Sequence, residues 1–286
     1  MRIDAHQHYW CITRGDYDWI TSAIPELYRD FVPSDLIPSL DRHHIDGSIV
    51  IQAAPTVEET EYLLSFAGEE ESILGVVGWL DIGAENWSKH YHQYRQHYKF
   101  KGLRIALQEM EHPEDVLEGQ SLRTLQMLAE DRLPLDLLLL PHQLHVAIKL
   151  IQAVPGLHAV IDHLAKPNIA AGSWEPWRSE ISHISQYPNI YCKLSGMVTE
   201  AQHQAWTVDE FEPYITHVLQ CFGPDRVMFG SDWPVCLRSA SYDEVVNVLQ
   251  HGIPPHWGDE ERSKLFGRNA ALFYRLETTH SREGGR

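Results

Sequence analysis

Apolar residues in this chain gather into eight short blocks, at 2–8, 47–52, 73–80, 100–107, 133–140, 158–163, 190–194 and 226–230. Their starts lie roughly 25 to 45 residues apart, room for a strand and a crossover helix. The inner blocks are continuous rather than alternating, as expected of parallel strands covered on both faces. Between them, 57–67, 121–130 and 144–152 repeat apolar residues at helical spacing. Turn signals precede many blocks, among them Asp46-Gly47, Pro155-Gly156, Pro188-Asn189 and Gly223-Pro224-Asp225. Eight βα units without a break in composition predict an α/β fold: one closed (β/α)8 TIM barrel over 1–275, with a flexible tail at 276–286. One stretch departs from the alternation. Residues 9–40 form an inserted loop region after strand 1, rich in aromatics (Tyr9, Trp10, Tyr17, Trp19, Tyr28 and Phe31). It leaves the face where barrel active sites sit, so two readings stand open: a cover over the site, or a small satellite core.

Composition narrows the function classes. The chain has 286 residues, 23 Lys and Arg against 40 Asp and Glu, and a formal charge of −17. That charge argues against nucleic acid or an anionic membrane as partner and favours a small-molecule substrate. No run approaches the 18 or so apolar residues of a membrane span, and the start lacks the apolar core of a secretory signal. The four cysteines (Cys11, Cys192, Cys221 and Cys236) have no CxxC spacing and read as reduced thiols. The expectation is a cytoplasmic protein, with a homo-oligomer left open.

The candidate chemistry lies at the strand ends. His6 and His8 are two residues apart on the first block, so on a strand they point the same way and converge on one atom. The last block closes in Gly230-Ser231-Asp232-Trp233-Pro234, an apolar run ending in an acid. Side chains at the C-terminal ends of barrel strands meet over one pit. Reading those ends adds Trp79, Arg104, Asp136, Asp162, His163, Lys166, Lys193 and Ser195. Three histidines, an acid, an arginine and a lysine at one mouth are hard to explain as packing, because buried charge is costly unless paired or working.

With these pieces in order, the chain resembles the amidohydrolase superfamily, and within it the branch of sugar-lactone and dicarboxylate-lactone hydrolases. The resemblance runs nearly the whole length. It is carried by Ile3-Asp4-Ala5-His6-Gln7-His8, Arg29-Asp30-Phe31, Lys101-Gly102-Leu103-Arg104, Asp162-His163-Leu164-Ala165-Lys166-Pro167, Lys193-Leu194-Ser195-Gly196 and Met228-Phe229-Gly230-Ser231-Asp232-Trp233-Pro234. Binuclear members bridge two metals with a carbamylated strand-4 lysine. Here that strand carries Arg104, which has no lone pair to give, and strand 5 lacks an obvious ligand histidine. The resemblance therefore implies at most one divalent ion, zinc by preference, on His6, His8, His163 and Asp232, or none.

It also implies a hydrolase acting on a small lactone, most simply a sugar aldonolactone of the L-fucono, L-rhamnono or L-galactono type. Asp232 is the expected general base toward water. His6, His8 and His163 face the carbonyl oxygen, directly or through a metal. Arg104 and Lys193 are assigned to substrate oxygens, Trp233, Trp79 and Trp19 to a wall against the sugar face, and Lys166 to a carboxylate in the pit. Two competing readings share the barrel: a single-zinc decarboxylase of an aromatic or unsaturated acid, and a non-catalytic sensor of a small acid or sugar.

Overall fold

The computed structural model describes residues 1–203 and 205–277. Eight parallel strands run in sequence order around one sheet: β1 (Ile3–Gln7), β2 (Gly47–Ile51), β3 (Ile73–Gly78), β4 (Phe100–Ala106), β5 (Leu135–Leu138), β6 (Ala159–Ile161), β7 (Ile190–Leu194) and β8 (Val227–Phe229). Each lies within a predicted block. Crossover helices follow them: α1 (Pro33–Arg42), α2 (Val57–Glu69), α3 (Trp87–Tyr94), α4 (Gly119–Glu130), α5 (Leu144–Ala153), α6 (Trp177–Ile184), α7 (Glu212–Phe222) and α8 (Tyr242–Gly252). The architecture is the (β/α)8 barrel. Local signals set several starts. Thr56 accepts the Glu59 N–H at 3.1 Å to cap α2, Pro33 opens α1, and Ser241 with Glu244 forms a reciprocal cap on α8. No helix among the described residues is long and apolar enough to cross a membrane.

The seam between β8 and β1 is made beyond the regular strands. Asp232 N–H donates to the His6 carbonyl at 2.8 Å and His8 N–H to the Trp233 carbonyl at 2.7 Å. These bonds join the two ends of the sheet at its mouth.

Register explains how β1 presents its histidines. Asp4 pairs with Ser48 and Gln7 with Val50, so three steps on β1 match two on β2. One extra residue is a bulge, which re-aims the side chains beyond it. Ile3 and Ala5 sit in the barrel interior with Ile49, Ile51, Val77, Val160 and Met228. Past the bulge His6 also turns inward. Asp4 goes the other way, accepting from Tyr242 of α8 at 3.0 Å and from Ser231 N–H at 2.9 Å.

Two further segments frame the barrel. After α8 come α9 (Asp259–Ser263), a π turn (Lys264–Arg268) and α10 (Asn269–Phe273). Ala270, Phe273 and Tyr274 enter the interior cluster, and the Asn269 amide donates to Pro224 and Val227 carbonyls at the foot of β8. This segment therefore plugs the barrel from below. At the top, the insertion is shorter than expected: α1 is an ordinary crossover helix, so the irregular part is 9–32. It is an aromatic satellite core. Trp10 meets Phe31 and Trp19 edge-on at 5.2 and 5.5 Å, and Phe31 meets Trp233 at 5.2 Å. The tail expected at 276–286 lies outside the described residues from 278 onward.

Phe31 joins the insertion to the residue after Asp232. Phe31→Ala should cost about 3–5 kcal/mol, the usual range for truncating a buried aromatic, and should lower activity by loosening Trp233. Urea unfolding beside a rate assay checks it. A loss below about 1 kcal/mol would show that the insertion is not part of the cooperative core.

Candidate active site

His6, His8, His163 and Asp232 come together at the mouth, all nearly or wholly buried. Asp232 Oδ1 lies 3.3 Å from His8 Nε2, 3.7 Å from His6 Nε2 and 3.8 Å from His163 Nε2. Three inward ring nitrogens thus face one carboxylate oxygen.

The backbone that holds them is unusual. Asp232 has φ 57°, and His163, Leu164, Ala165 and Lys166 have φ 53°, 54°, 58° and 50°. Four successive non-glycine residues in the left-handed region are each strained. Packing holds the turn: Leu164 and Ala165 are fully buried, and the Trp177 indole N–H donates to the Leu164 carbonyl at 2.5 Å. Two glycines make room. A Cβ on Gly196 would stand 2.5 Å from His163 Nδ1, and one on Gly230 would stand 2.6 Å from His6 Cβ.

The outer ring nitrogens are anchored differently. His8 Nδ1 is 2.8 Å from the Ile51 carbonyl, and His163 Nδ1 is 2.8 Å from Ser195 Oγ. His6 Nδ1 has Lys193 Nζ at 3.1 Å and Asp162 Oδ1 at 3.3 Å. Burial, then the cations Lys193, Arg104 and Lys166 among its neighbours, holds His6 well below the usual imidazole range. Burial does the same for His163. Burial alone would raise Asp232, but His163, His8 and Lys166 outweigh it and hold its carboxyl below the usual value. The mouth therefore presents a carboxylate beside His6 and His163, whose neutral forms burial favours.

Other expected residues fall into place unevenly. Arg104 is at the mouth, one fork arm donating to the Gln52 carbonyl at 2.7 Å, another 4.0 Å from Asp162, its Nε without a partner. Lys193 does not face the mouth, a correction to its assignment to substrate oxygens. It is wholly buried beneath His6, bonded to Asp136 and 3.1 Å from Asp162. Trp233 is packed between Tyr9 and Phe31, so a sugar-facing wall is not its visible role. Trp19 donates its indole N–H to the Ala53 carbonyl at 2.8 Å and is partly exposed at the rim. Trp79 is half-buried just past β3, its backbone N–H given to the Thr60 hydroxyl. Lys166 is half-buried at the end of the left-handed turn, its charge acting on Asp232 and Glu200. At this same end, residues 23–26 of the insertion, Thr199, His203 and Arg238 wall a cavity of about 240 Å³.

Three participants had little signal in the sequence. Tyr274 rises from the bottom plug and places its hydroxyl 2.9 and 3.0 Å from the Asp136 oxygens. Asp162 is visible in its motif, but nothing local tells that it meets His6. Glu59, on the first turn of α2, is buried with one oxygen accepting from Ala53 N–H at 2.8 Å and the other unpartnered.

The residues suit one divalent cation. The His8 proton is committed to Ile51 when the ring is neutral, so its bare Nε2 faces the bare Asp232 Oδ1 at 3.3 Å. Two acceptors so placed call for a proton or a cation between them. His6 Nε2 is buried without a partner at the same focus. The outer nitrogens of His8 and His163, held by a carbonyl and a hydroxyl, match the supports metal-bound histidines use.

The amidohydrolase family matches residues 3–276. The chain belongs to the amidohydrolase family. It is 36% identical to an L-fucono-1,5-lactonase of Burkholderia ambifaria, over 97% of this chain and 96% of that one. A Burkholderia multivorans amidohydrolase solved with bound zinc superposes with TM-score 0.92 at 34% identity, covering 97% of this chain and 100% of its own. A dihydroxybenzoic acid decarboxylase of Polaromonas with bound manganese covers 98% of both chains at TM-score 0.69 and 14% identity, which shows a shared fold alone.

Glu59 supplies a pH test of this amidohydrolase scaffold. Burial pushes its carboxyl up to about 8, against help from the Ala53 and Ala54 N–H groups and Arg104. Between the unfolded value of 4.5 and about 8 the folded state binds the extra proton. Stability from this group is therefore full at the acid end and falls as pH rises. Glu59→Gln removes the linkage. Its stability relative to wild type should grow with pH across that window, by at most about 1.4 kcal/mol per pH unit. Urea melts at several pH values read it, and a difference independent of pH would mean that Glu59 is ionised in the fold.

Proposed function

We propose that this amidohydrolase opens the ring ester of a sugar lactone, of the L-fucono-1,5-lactone type, to the hydroxy acid. The observation that carries the reading is Asp232 Oδ1 at the focus of three imidazole nitrogens, in a chain 36% identical to a fuconolactonase. In this reading water adds to the lactone carbonyl carbon and the ring C–O bond breaks. Asp232, ionised, takes the water proton and returns it to the leaving ring oxygen. In the same reading His6 and His163 donate to the carbonyl oxygen as negative charge collects there, while His8 keeps its proton on the Ile51 side. Arg104, with its free Nε, is the cation we assign to substrate hydroxyl oxygens. His6, His8, His163 and Asp232 are the residues that would hold a zinc ion. When bound, it supplies Lewis-acid polarisation of the carbonyl.

Opening an aldonolactone releases a proton, so a pH indicator reads a panel of 1,4- and 1,5-lactones of fucose, rhamnose, galactose and arabinose configuration. Turnover of a fucose- or galactose-configured lactone is expected. Turnover of dihydroxybenzoate, followed by absorbance, with no lactone opened would overturn the reading in favour of the decarboxylase.

Two variants assign roles. Asp232→Asn is nearly isosteric and should fold, yet lose at least about a hundredfold in kcat, the lower end of what a positioned base contributes. Wild-type turnover would remove Asp232 from the chemistry. Arg104→Lys keeps the charge beside Asp162 but removes the planar fork. If Arg104 holds ground and transition states alike, KM rises severalfold while kcat barely moves. An unchanged KM would make Arg104 a purely structural partner of Gln52 and Asp162.

A further inference from the structure

The outer nitrogen of His6 meets two partners of opposite demand. An ammonium only donates and an ionised carboxylate only accepts. Lys193 Nζ lies 3.1 Å from His6 Nδ1, and Asp162 Oδ1 lies 3.3 Å from it. A neutral imidazole satisfies one of them at a time. If Nδ1 accepts from Lys193, the ring proton is on Nε2 and points into the pit. If Nδ1 donates to Asp162, Nε2 is bare.

Geometry decides between them. The Lys193 ammonium is hydrogen-bonded to Asp136 Oδ2 and meets His6 Nδ1 in hydrogen-bond geometry, while Asp162 Oδ1 lies near both as an ion-pair neighbour without a hydrogen-bond partner of its own. The orientation of the ring is thus the one in which His6 accepts. When His6 donates to Asp162, one ammonium N–H is stranded in a wholly buried site, which is unfavourable. His8 is the contrast: its Nδ1 meets a carbonyl alone, so its tautomer is fixed the other way.

We infer that Lys193 is a positioning residue that sets the His6 tautomer, holding the proton on Nε2 so that the pit offers a neutral N–H donor where Asp162 alone would leave a bare nitrogen. Taking that donor's target to be a lactone carbonyl oxygen rests on the function proposed above. The same contact opposes metal. A cation at His6 Nε2 requires the proton to move to Nδ1, where Asp162 accepts it and Lys193 loses an acceptor. Lys193 thereby tunes the site between a donor and a ligand without touching either substrate or ion.

The test is nitrogen NMR of the full chain labelled with 15N-histidine, after exhaustive chelator dialysis and without substrate. The His6 signal is assigned by its loss in His6→Gln, and His8 serves as the internal standard. The expected spectrum has His6 protonated on Nε2 and His8 on Nδ1, with His6 converting to Nδ1–H as zinc is added. Lys193→Met strands two buried carboxylates, so the variant arm uses Asp136→Asn with Lys193→Met, which removes the pair together. It should show His6 as Nδ1–H without metal and bind zinc at least about tenfold more tightly than Asp136→Asn alone. His6 protonated on Nδ1 in the chelated wild-type protein overturns the inference even if no variant folds. An unchanged zinc affinity in the double variant overturns the antagonism. Failure of the lactone panel beside an Nε2–H spectrum would sink the proposed substrate and leave the tautomer assignment standing.

Discussion

Lys193, Asp136 and Asp162 share one contact with no access to solvent. Taking an ion out of water costs several kcal/mol even after the protein relaxes, so a pair broken by removing one partner is far worse than no pair at all. The three residues come from the mouth ends or middles of β5, β6 and β7, and Tyr274 adds a hydroxyl from the plug below. Strand register, the C-terminal segment and the floor of the pit are thus tied to one charge cluster. Well-packed apolar residues of the same volume would serve stability at least as well. The use of the cluster is electrostatic. It sets a cation under His6 and holds Asp162 below the usual carboxylate range, with burial opposed by Lys193, His163 and Arg104.

Strain collects on the neighbouring residues of the Asp232 focus. The left-handed turn at 163–166, the left-handed Asp232 and the bulge in β1 each aim one member of the Asp232 focus. Such conformations persist only where surrounding packing over-determines them. Here that packing is the Trp177 bond to Leu164, the close approach of Gly196 and Gly230, and the paired backbone bonds of the seam. A backbone free of strain at these points would send His163 or His6 elsewhere.

Much of this was legible in the chain. Continuous apolar blocks gave all eight strands, because strands buried on both faces leave no room for alternation. His6, His8, His163 and Asp232 were legible as a set because barrel strands deliver their ends to one place. The misses have physical causes. Lys193 reads like Arg104, a cation on a strand, and its depth depends on whether it sits low or high in the interior, which sequence does not encode. Trp233 reads as a ligand wall because it follows Asp232, but its ring turns to Phe31, a partner two hundred residues away. The left-handed turn has no glycine to announce it. Residues 33–40 were folded into the insertion because Pro33 and Pro38 hide a helix whose apolar face, Leu36 and Leu40, is narrow.

Closure of the barrel and assembly of the site turn out to be the same event. Regular strand pairing ends at β8, and what brings β8 to β1 is His8 N–H to Trp233 and Asp232 N–H to His6. Each of those bonds joins a pit residue to the opposite strand's mouth. Asp4 fastens the outer side of the same seam, accepting from Ser231 N–H and Tyr242, with its carboxyl pushed up to about 6 by burial. Trp233 then carries the aromatic insertion, which covers the seam from above. An open β1–β8 edge would expose unpaired backbone groups and separate Asp232 from His6 and His8 in one step. The fold therefore cannot be complete while the acid and its imidazoles are apart, and substitutions along the seam should be felt in stability and in chemistry together.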